Sequence, residues 1–282
     1  MRPPAGACAT RAAGKSPCIL CPVNQHGVVL VNGVSQGFGR ASALAWGDRG
    51  MSVICADRDV ALASKTAAEV EDHGGRAISI QSDATVPMDV QTAFRKSEEL
   101  FGVPNGVVHA ATRYSAAAAA ELSEGEFHEL IAETLFSTQL VMKQAARVMD
   151  SGWVIVIGPP STSASPQTAM VEAGLASLTA RYAEVHPHLR FNLVTPSRRA
   201  SDPQHDARLT RTVAFLGSPD GEGVTGAHTH VALPPPPKAV EQQLPEIQAA
   251  LDDRFRQEDD GWDNGGGLDP TERTFDGTVG SA

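Results

Sequence analysis

Residues Val28–Ala41 form the stretch VVLVNGVSQGFGRA, in which an apolar, β-branched run leads directly into three glycines. β-Branched side chains favour strands, and the alanine-rich residues after the glycines favour a helix. Gly33, Gly37 and Gly39 therefore lie in a turn between a predicted strand and a predicted helix. Such a turn lets the backbone approach a phosphate closely, in front of the helix N-terminus. The stretch predicts a site for a nucleotide pyrophosphate.

Segments with strand character and segments with helical spacing alternate along the rest of the chain. This alternation is typical of a parallel sheet covered by helices on both faces. The sequence predicts an α/β fold, a single domain with a doubly wound (Rossmann) parallel sheet. The predicted strands are Val28–Asn32, Met51–Ala56, Ala77–Gln81, Gly106–Ala111, Gly152–Ile157, Phe191–Val194 and a terminal strand at His228–His230, and the predicted helices are Phe38–Asp48, Ala61–His73, Val90–Phe101, Ser123–Met149 as one or two helices, and Val171–Val185.

The alternating pattern is confined to residues 28–233, which form the predicted folded domain. Residues 1–27 are predicted to be a flexible N-terminal extension. Pro234–Pro237 cannot continue a helix or a central strand, and acidic and glycine-rich residues follow them. We expect residues 234–282 to be a largely disordered tail. Most of the net charge of −10 lies there, because this tail has eleven acidic and four basic residues.

Composition argues against several classes of protein. An acidic chain is a poor nucleic-acid binder, because phosphate neutralisation needs a basic face. No apolar run approaches the roughly 18 residues of a membrane span. Cys18 and Cys21 have CxxC spacing, but only Cys8 could add a ligand from the same region, and zinc needs four. We therefore predict no metal site. We also expect a cytoplasmic protein. The alternative is an organelle transit peptide, since the first 25 residues have three basic residues and no acid.

An acidic residue follows the second predicted strand. Asp57 comes directly after Met51–Ala56, at the position where a carboxylate meets the adenosine ribose of a dinucleotide. A carboxylate there accepts hydrogen bonds from both ribose hydroxyls and repels a 2′-phosphate, so the sequence favours NAD(H). Arg58 and Arg40 are close in the sequence, and either could pair with an added phosphate. NADP(H) is therefore the alternative cofactor.

The spacing Gly33-xxx-Gly37-x-Gly39 resembles the TGxxxGxG motif of the short-chain dehydrogenase/reductase (SDR) family, with Asn32 at the threonine position. Other short segments between about residues 28 and 233 are similar to SDR motifs in the same order: Asp83 in QSDAT, Val108–Ala111 where NNAG is expected, Phe191–Ser197 for RVNxVxPG and Val213–Gly226 for FLxS…TG. The resemblance implies the fold predicted above and a nicotinamide dinucleotide cofactor. It implies that the cofactor is bound by Gly33, Ser35, Gly37, Phe38, Gly39, Asp57, Arg58, Asp83 and Ala110.

The resemblance also places two unsuitable residues at the centre of the chemistry. In an SDR a tyrosine supplies a proton, and a lysine lowers the pKa of that tyrosine and holds the ribose. The segment Thr168–Thr179 is similar to YSASKAALxxLT, so Thr168 stands at the tyrosine and Glu172 at the lysine. A threonine hydroxyl has no accessible acidity near neutral pH, and Glu172 reverses the charge that would stabilise a phenolate. The usual SDR proton transfer cannot run through this pair.

The remaining SDR functions also fall on substitutes. Thr134 aligns with the asparagine that anchors a proton relay in the family. Gly158 or Pro159 aligns with the serine that orients the substrate, and Ser161 follows closely. Tyr114 lies after the fourth predicted strand, beside an arginine, on a loop that borders the substrate pocket in SDRs. It is the candidate for a replacement acid or oxyanion donor.

Three hypotheses about function stay open on these observations. The first is an atypical SDR-type oxidoreductase that binds a nicotinamide cofactor and acts on a small organic substrate. The second is a redox-silent cyclase or isomerase, of the natural-product type, that uses the SDR pocket to organise a reactive conformer. The third is a catalytically inactive pseudoenzyme that senses NAD(H) or stabilises an active partner. Whether the protein is an enzyme is therefore open.

Partners follow from the same resemblance. SDR-like folds usually assemble through two long helices, which here correspond to Ser123–Met149 and Val171–Val185. We expect a homo-oligomer, a dimer or tetramer, with a heteromer that includes an intact SDR as the alternative. Neither nucleic acid nor a membrane is an expected partner.

Overall fold

A computed structural model of the chain describes residues 27–35, 37–110, 122–160, 165–197 and 207–232. All of them belong to a compact unit that spans Met1–Pro234. The predictions for the two tails concern residues outside these ranges, apart from Gly27. The strands are β1 (Val28–Asn32), β2 (Ser52–Asp57), β3 (Arg76–Gln81), β4 (Gly106–His109), β5 (Gly152–Ile157), β6 (Leu189–Pro196) and β7 (His228–Val231).

The strands form a single seven-stranded sheet with the order β3-β2-β1-β4-β5-β6-β7. Every neighbouring pair is parallel. The α-helices are α1 (Gly37–Gly47), α2 (Val60–Asp72), α3 (Pro87–Leu100), α4 (Glu124–Ile131), α5 (Ser137–Val148), α6 (Pro166–Val185) and α7 (Ala207–Gly217), with a short 3₁₀ turn at Pro219–Gly221. This architecture confirms the predicted doubly wound α/β fold.

Apart from shifts of up to three residues at the ends of elements, the observed structure differs from the predicted one in three places. The stretch predicted as one or two helices is α4 and α5, joined by a π-helical segment, Ala132–Phe136. α6 begins five residues before the prediction, because Ser165 caps it and Pro166 takes the first helical position. α7 was not predicted at all, since its apolar residues were interpreted as part of a family motif rather than as a helical face.

Two apolar layers, one on each face of the sheet, stabilise the fold. One face packs α3, α5 and α6 against alternate strand residues, with Phe94 and Phe191 fully buried. The other face packs α1, α2 and α7, and there Trp46 and Trp153 stack with ring centroids 4.9 Å apart. Because both faces are covered, the central strands are continuous apolar runs rather than alternating ones. No helix in the described part of the chain is both long and apolar enough to cross a membrane.

The strand order shows where a ligand-binding crevice can form at the edge of the sheet. β2 and β3 lie on one side of β1, while β4 and the later strands lie on the other. The chain therefore reverses its winding direction between β1 and β4. In open parallel sheets a crevice forms at this switch point, outside the carboxyl ends of the strands. Asn32, Asp57 and His109 end β1, β2 and β4 at this edge.

Candidate functional site

The glycine turn after β1 has the geometry that the sequence predicts. Gly33 and Gly37 have φ values of 83° and 59°, in the region that favours glycine. A Cβ on Gly39 would lie 1.9 Å from the carbonyl oxygen of Gly33, so no side chain fits there. The amide of Gly33 donates to the carbonyl of Ala56 at 2.9 Å and joins the turn to the end of β2. The first turn of α1 is thereby held close against the end of β1.

A cleft of ≈ 240 Å³ opens beside this turn, at the switch point of the sheet. Six of the nine residues that the sequence assigned to cofactor binding line it. Of the other three, Gly37 and Gly39 belong to the first turn of α1, and Phe38 packs against the core on the α1 face. The lining residues are Asn32, Gly33, Ser35, Asp57, Arg58, Ser82, Asp83, Ala84, Thr85, Ala110, Glu133 and Ser137.

Asp57 closes the cleft at the end of β2, and its carboxylate is held by backbone donors. The amide of Ser35 donates to Oδ2 at 2.9 Å, and the amide of Asp59 donates to Oδ1 at 3.1 Å. These two bonds fix the carboxylate between the glycine turn and the start of α2. A carboxylate oriented in this way can accept further hydrogen bonds from a diol in the cleft.

Arg58 is bound to acidic residues of the same cleft. Its guanidinium donates to Glu133 at 2.9 Å and lies 3.8 Å from Asp83. The hydrogen bond that Arg58 donates to Glu133 is the main reason why the pKa of Arg58 is raised. Burial opposes ionisation of Asp83, but hydrogen bonds from the Thr85 hydroxyl and amide outweigh it and, with the charge of Arg58, lower the pKa of Asp83. Both groups are therefore charged at neutral pH.

The charge of the cleft is negative. Among the described residues that line it, Asp57, Asp83 and Glu133 are acidic and Arg58 is basic. Arg40, the second arginine that the sequence placed near a 2′-phosphate, contacts Glu69 on α2 at 2.6 Å instead. Neither arginine is thus available for a phosphate without breaking an ion pair.

Buried polar atoms at the ends of β1, β3 and β4 have no hydrogen-bond partner within the described part of the chain. They are Asn32 Nδ2, Ser82 Oγ and His109 Nδ1. Buried polar groups in folded proteins are normally satisfied, so each such group needs an explanation. Asn32 and Ser82 line the cleft, and a polar ligand seated there would supply partners. A dinucleotide, with its hydroxyls, phosphates and ring nitrogens, fits this arrangement.

His109, the last residue of β4, is the third member of this group. It is fully buried, and Nε2 lies 3.0 Å from the hydroxyl oxygen of Ser137. Because the Ser137 hydroxyl donates to the carbonyl of Glu133 at 2.8 Å, we assign the imidazole proton to Nε2. Burial lowers the pKa of His109 to about 4. The ring is therefore neutral at physiological pH.

Thr134 and Thr168 are both buried, and their hydroxyls bind neighbouring residues of their own segments. The Thr134 hydroxyl, within the π-helical segment, donates to the carbonyl of Leu130. The hydroxyl of Ser165 donates to the Thr168 hydroxyl oxygen at 2.7 Å, and the Thr168 amide donates back to Ser165 at 3.3 Å. Thr168 therefore belongs to the N-terminal cap of α6. Two further candidates, Ser161 and Tyr114, lie outside the described residues.

Glu172, one turn further along α6, faces β7 rather than the cleft. Its Oε1 lies 3.4 Å from Nε2 of His228 and 3.7 Å from Nδ1 of His230. The Thr195 hydroxyl on β6 lies 2.9 Å from the same nitrogen of His228. Burial, followed by the neighbouring His230, lowers the pKa of His228, and the charge of Glu172 opposes this. The sequence contained no sign of this cluster, because residues far apart in the chain form it.

A family model described as short chain dehydrogenase matches residues 27–197, more than half of the chain. The chain belongs to the short-chain dehydrogenase family. Short-chain dehydrogenases are oxidoreductases that bind nicotinamide dinucleotides, act on small substrates and are typically oligomeric. Family membership agrees with the glycine turn, the acidic residue after β2 and the order of strands, all of which are present here.

Two curated relatives and one solved structure extend the match. A 1-cyclohexenylcarbonyl-CoA reductase of Streptomyces collinus is 31% identical over 46% of this chain and 46% of its own, so the match spans less than half of that reductase. The short chain dehydrogenase/reductase astE of Aspergillus oryzae is 28% identical over 63% of this chain and 73% of its own. The structure of a short-chain type dehydrogenase/reductase from Mycobacterium marinum superposes with a TM-score of 0.67, at 24% identity over 73% of this chain and 93% of that one, and shows the same fold.

Proposed function

We propose that this short-chain dehydrogenase binds NAD(H) in the cleft and acts on a small organic substrate as an oxidoreductase with an unusual proton donor. The observation that carries the proposal is the oriented carboxylate of Asp57, beside a glycine turn that no side chain could occupy. The turn would hold the pyrophosphate, and Asp57 would accept hydrogen bonds from the adenosine ribose. The bound nicotinamide would supply the hydride acceptor or donor.

Charge supports NAD(H) over NADP(H). A 2′-phosphate would enter a cleft with three carboxylates, Asp57, Asp83 and Glu133. The basic residue in the lining, Arg58, would have to release Glu133 to pair with that phosphate. Asp83 lies on the far side of Asp57 from the glycine turn, at the end of β3, where we place the adenine. Its hydrogen bonds with Thr85 keep this part of the cleft in one conformation.

Proton transfer must use a group other than Thr168. The Thr168 hydroxyl is buried in the cap of α6, and Glu172 stands where the resemblance expects a lysine. We propose Tyr114 as the donor, since it follows β4 in the sequence and β4 ends beside the cleft. Ser161, another candidate, would then serve as a hydrogen-bonding group of the substrate pocket rather than as an acid, whereas the buried Thr134 hydroxyl already donates to the carbonyl of Leu130.

Thr168 and Glu172, at the positions of the family's tyrosine and lysine, also favour a second candidate function, one without redox chemistry. A protein that binds the dinucleotide but has no acid at position 168 could be a redox-silent cyclase or isomerase. It could equally be a pseudoenzyme that senses NAD(H) or supports an intact short-chain dehydrogenase as its partner subunit. In each case the cleft would retain its ligand, and the nicotinamide would stay in one oxidation state.

We also propose a homo-oligomer that assembles through α4, α5 and α6. Large apolar side chains on these helices and on the π-helical segment between α4 and α5 are exposed, among them Phe127, Phe136 and Val185. Isolated exposed apolar residues are common, but here three of them belong to the two segments that the sequence predicts as the interface. Light scattering measures the molar mass of the purified protein in solution and so its oligomeric state. Phe136→Glu should lower that molar mass towards the value of one chain.

Calorimetric titration of NAD, NADH, NADP and NADPH into the full chain tests the cofactor. We expect NADH to bind at least tenfold more tightly than NADPH, and Asp57→Ala to remove most of that difference. Asp72→Ala, at the exposed end of α2, is the matched control and should leave both affinities unchanged. Binding of none of the four nucleotides would contradict the proposal.

Substrate screening at constant NADH then separates the two candidate functions. Turnover accompanied by a change in nicotinamide absorbance, lost in Tyr114→Phe, supports the oxidoreductase. Turnover with constant absorbance supports the redox-silent enzyme. Copurification with an intact short-chain dehydrogenase, without turnover by the chain alone, supports the partner subunit.

A further inference from the structure

Glu172, His228 and His230 bring three metal-ligating side chains together at the edge of the sheet. One ligand atom from each lies within 4.8 Å of the others. The two imidazoles come from alternate residues of β7, so both are on the same face of that strand. Their ring centroids are 4.2 Å apart. Glu172 approaches from α6, and its side chain is largely buried, with 17% exposed.

The two distances from Glu172 to the imidazole nitrogens are longer than those of hydrogen bonds and leave room for an ion. Glu172 Oε1 lies 3.4 Å from His228 Nε2 and 3.7 Å from His230 Nδ1. Both values exceed the range of about 2.7–3.2 Å for an N–H···O hydrogen bond. Two ligands that are each about 2.1 Å from a tetrahedral zinc ion are about 3.4 Å apart. An ion could therefore enter between these three atoms with little movement of the backbone.

We propose that Glu172, His228 and His230 form a site for a divalent metal ion of the zinc class. Two imidazoles and a carboxylate are a donor set that suits Zn²⁺, Co²⁺ and Fe²⁺. Three protein ligands leave one coordination position for water or for a substrate oxygen, as in catalytic rather than structural zinc sites. None of the three residues lines the nucleotide cleft, so metal binding does not depend on the proposed cofactor.

One hydrogen bond must change when the metal binds. The Thr195 hydroxyl lies 2.9 Å from Nε2 of His228, the nitrogen that faces Glu172. A metal on this nitrogen displaces the hydroxyl, which then lies beside the ion and can donate a hydrogen bond to another of its ligands. His230 needs no such change, since its side chain is 57% exposed and can rotate. The open position would face a ligand that donates through oxygen, such as a carbonyl or a water molecule.

The test uses the full chain, purified without a histidine tag and in a Cys8→Ser, Cys18→Ser, Cys21→Ser background. Removing these thiols eliminates the alternative CxxC ligands in the N-terminal region. The chelator-treated protein is titrated with Zn²⁺ by calorimetry and with Co²⁺ by visible absorption. We expect one equivalent of Zn²⁺, and a Co²⁺ spectrum of low coordination number without thiolate charge-transfer bands.

Matched variants locate the ion. His230→Ala and Glu172→Gln should each weaken Zn²⁺ binding at least tenfold. His73→Ala, which removes an exposed histidine that lies beside Asp48 on the opposite side of the sheet, should leave it unchanged. Circular dichroism checks that all three variants are folded. Failure of the chelator-treated protein to bind Zn²⁺ in the titration, or one equivalent that persists in both His230→Ala and Glu172→Gln, would falsify the site.

Discussion

The two ends of the functional edge differ in how closely they follow the pattern of the short-chain dehydrogenase family. At the ends of β1 and β2, Gly33, Gly39 and Asp57 form the close turn and the oriented carboxylate that we propose for dinucleotide binding. Around α6, Thr168 binds the capping residue Ser165, and Glu172 faces two histidines. The first region thus has the features that the resemblance expects for binding, and the second lacks the residues that it expects for proton transfer. Binding and chemistry are thus separable parts of one fold.

The largest expected effect is on the binding region. Gly39→Ala places a methyl group 1.9 Å from the carbonyl oxygen of Gly33, so the turn or α1 must move. We expect nucleotide binding to be lost and the free energy of unfolding to fall by about 3 kcal/mol. Gly125→Ala, on exposed α4 with nothing within 4 Å of the new Cβ, is the control and should be neutral or slightly stabilising. Equal losses in both variants would contradict the role of the close approach.

A pH effect is expected from His109, which is fully buried at the end of β4. Its pKa is about 4 in the folded protein, below the value of about 6.5 in an unfolded chain. The unfolded state therefore binds more protons between these two pH values. The contribution of His109 to the free energy of unfolding is fully present above pH 6.5 and is lost as the pH decreases towards 4. We expect a loss of about 2–3 kcal/mol between pH 7 and pH 4.5, measured by urea unfolding.

Two variants test whether His109 causes this loss of stability at low pH. His109→Leu should reduce the loss between pH 7 and pH 4.5, although its stability at pH 7 is lower because Ser137 loses a partner. His73→Leu, at an exposed site, should behave like the wild type. If His109→Leu loses as much stability as the wild type over this range, other groups are responsible.

Thr168→Val tests whether the region around α6 retains any acid–base role for this hydroxyl. Its removal eliminates the hydrogen bond from the buried Ser165 hydroxyl to Thr168, which should cost about 1 kcal/mol of stability. Affinity for NADH and any turnover should remain within twofold of the wild type. Thr212→Val, at a partly exposed position of α7, is the comparison and should change stability and NADH affinity less. A turnover that falls by orders of magnitude would show that Thr168 takes part in the reaction.

The smallest expected effect is on the preference of the cleft for NADH over NADPH. Glu133→Ala releases Arg58 from its ion pair and removes one of three carboxylates near the ribose. NADPH should bind about fivefold more tightly, since an exposed ion pair is worth only about 1 kcal/mol, while NADH binding should change little. Glu98→Ala, on the surface of α3, is the comparison. An unchanged affinity for NADPH would show that Arg58 does not reach the phosphate.

The fold and the binding region could be predicted from sequence because their signals are local. Val28–Asn32, the glycines and Asp57 follow one another within a single strand–turn–helix–strand unit. The position of Glu133 in the cleft could not be predicted, since it depends on how α4 and the π-helical segment pack over the end of β4. The cluster of Glu172 with His228 joins a helix to the last strand, and no spacing rule connects such distant positions.

The stacked pair Trp46 and Trp153 gives the protein a built-in optical reporter. Trp46 belongs to α1, the helix that begins at the glycine turn, and Trp153 belongs to β5, on the other side of the switch point. Two indoles in such contact couple electronically, and their emission shifts to longer wavelength when water reaches them. Unlabelled protein will therefore signal whether α1 and the central sheet separate together or in succession as it unfolds.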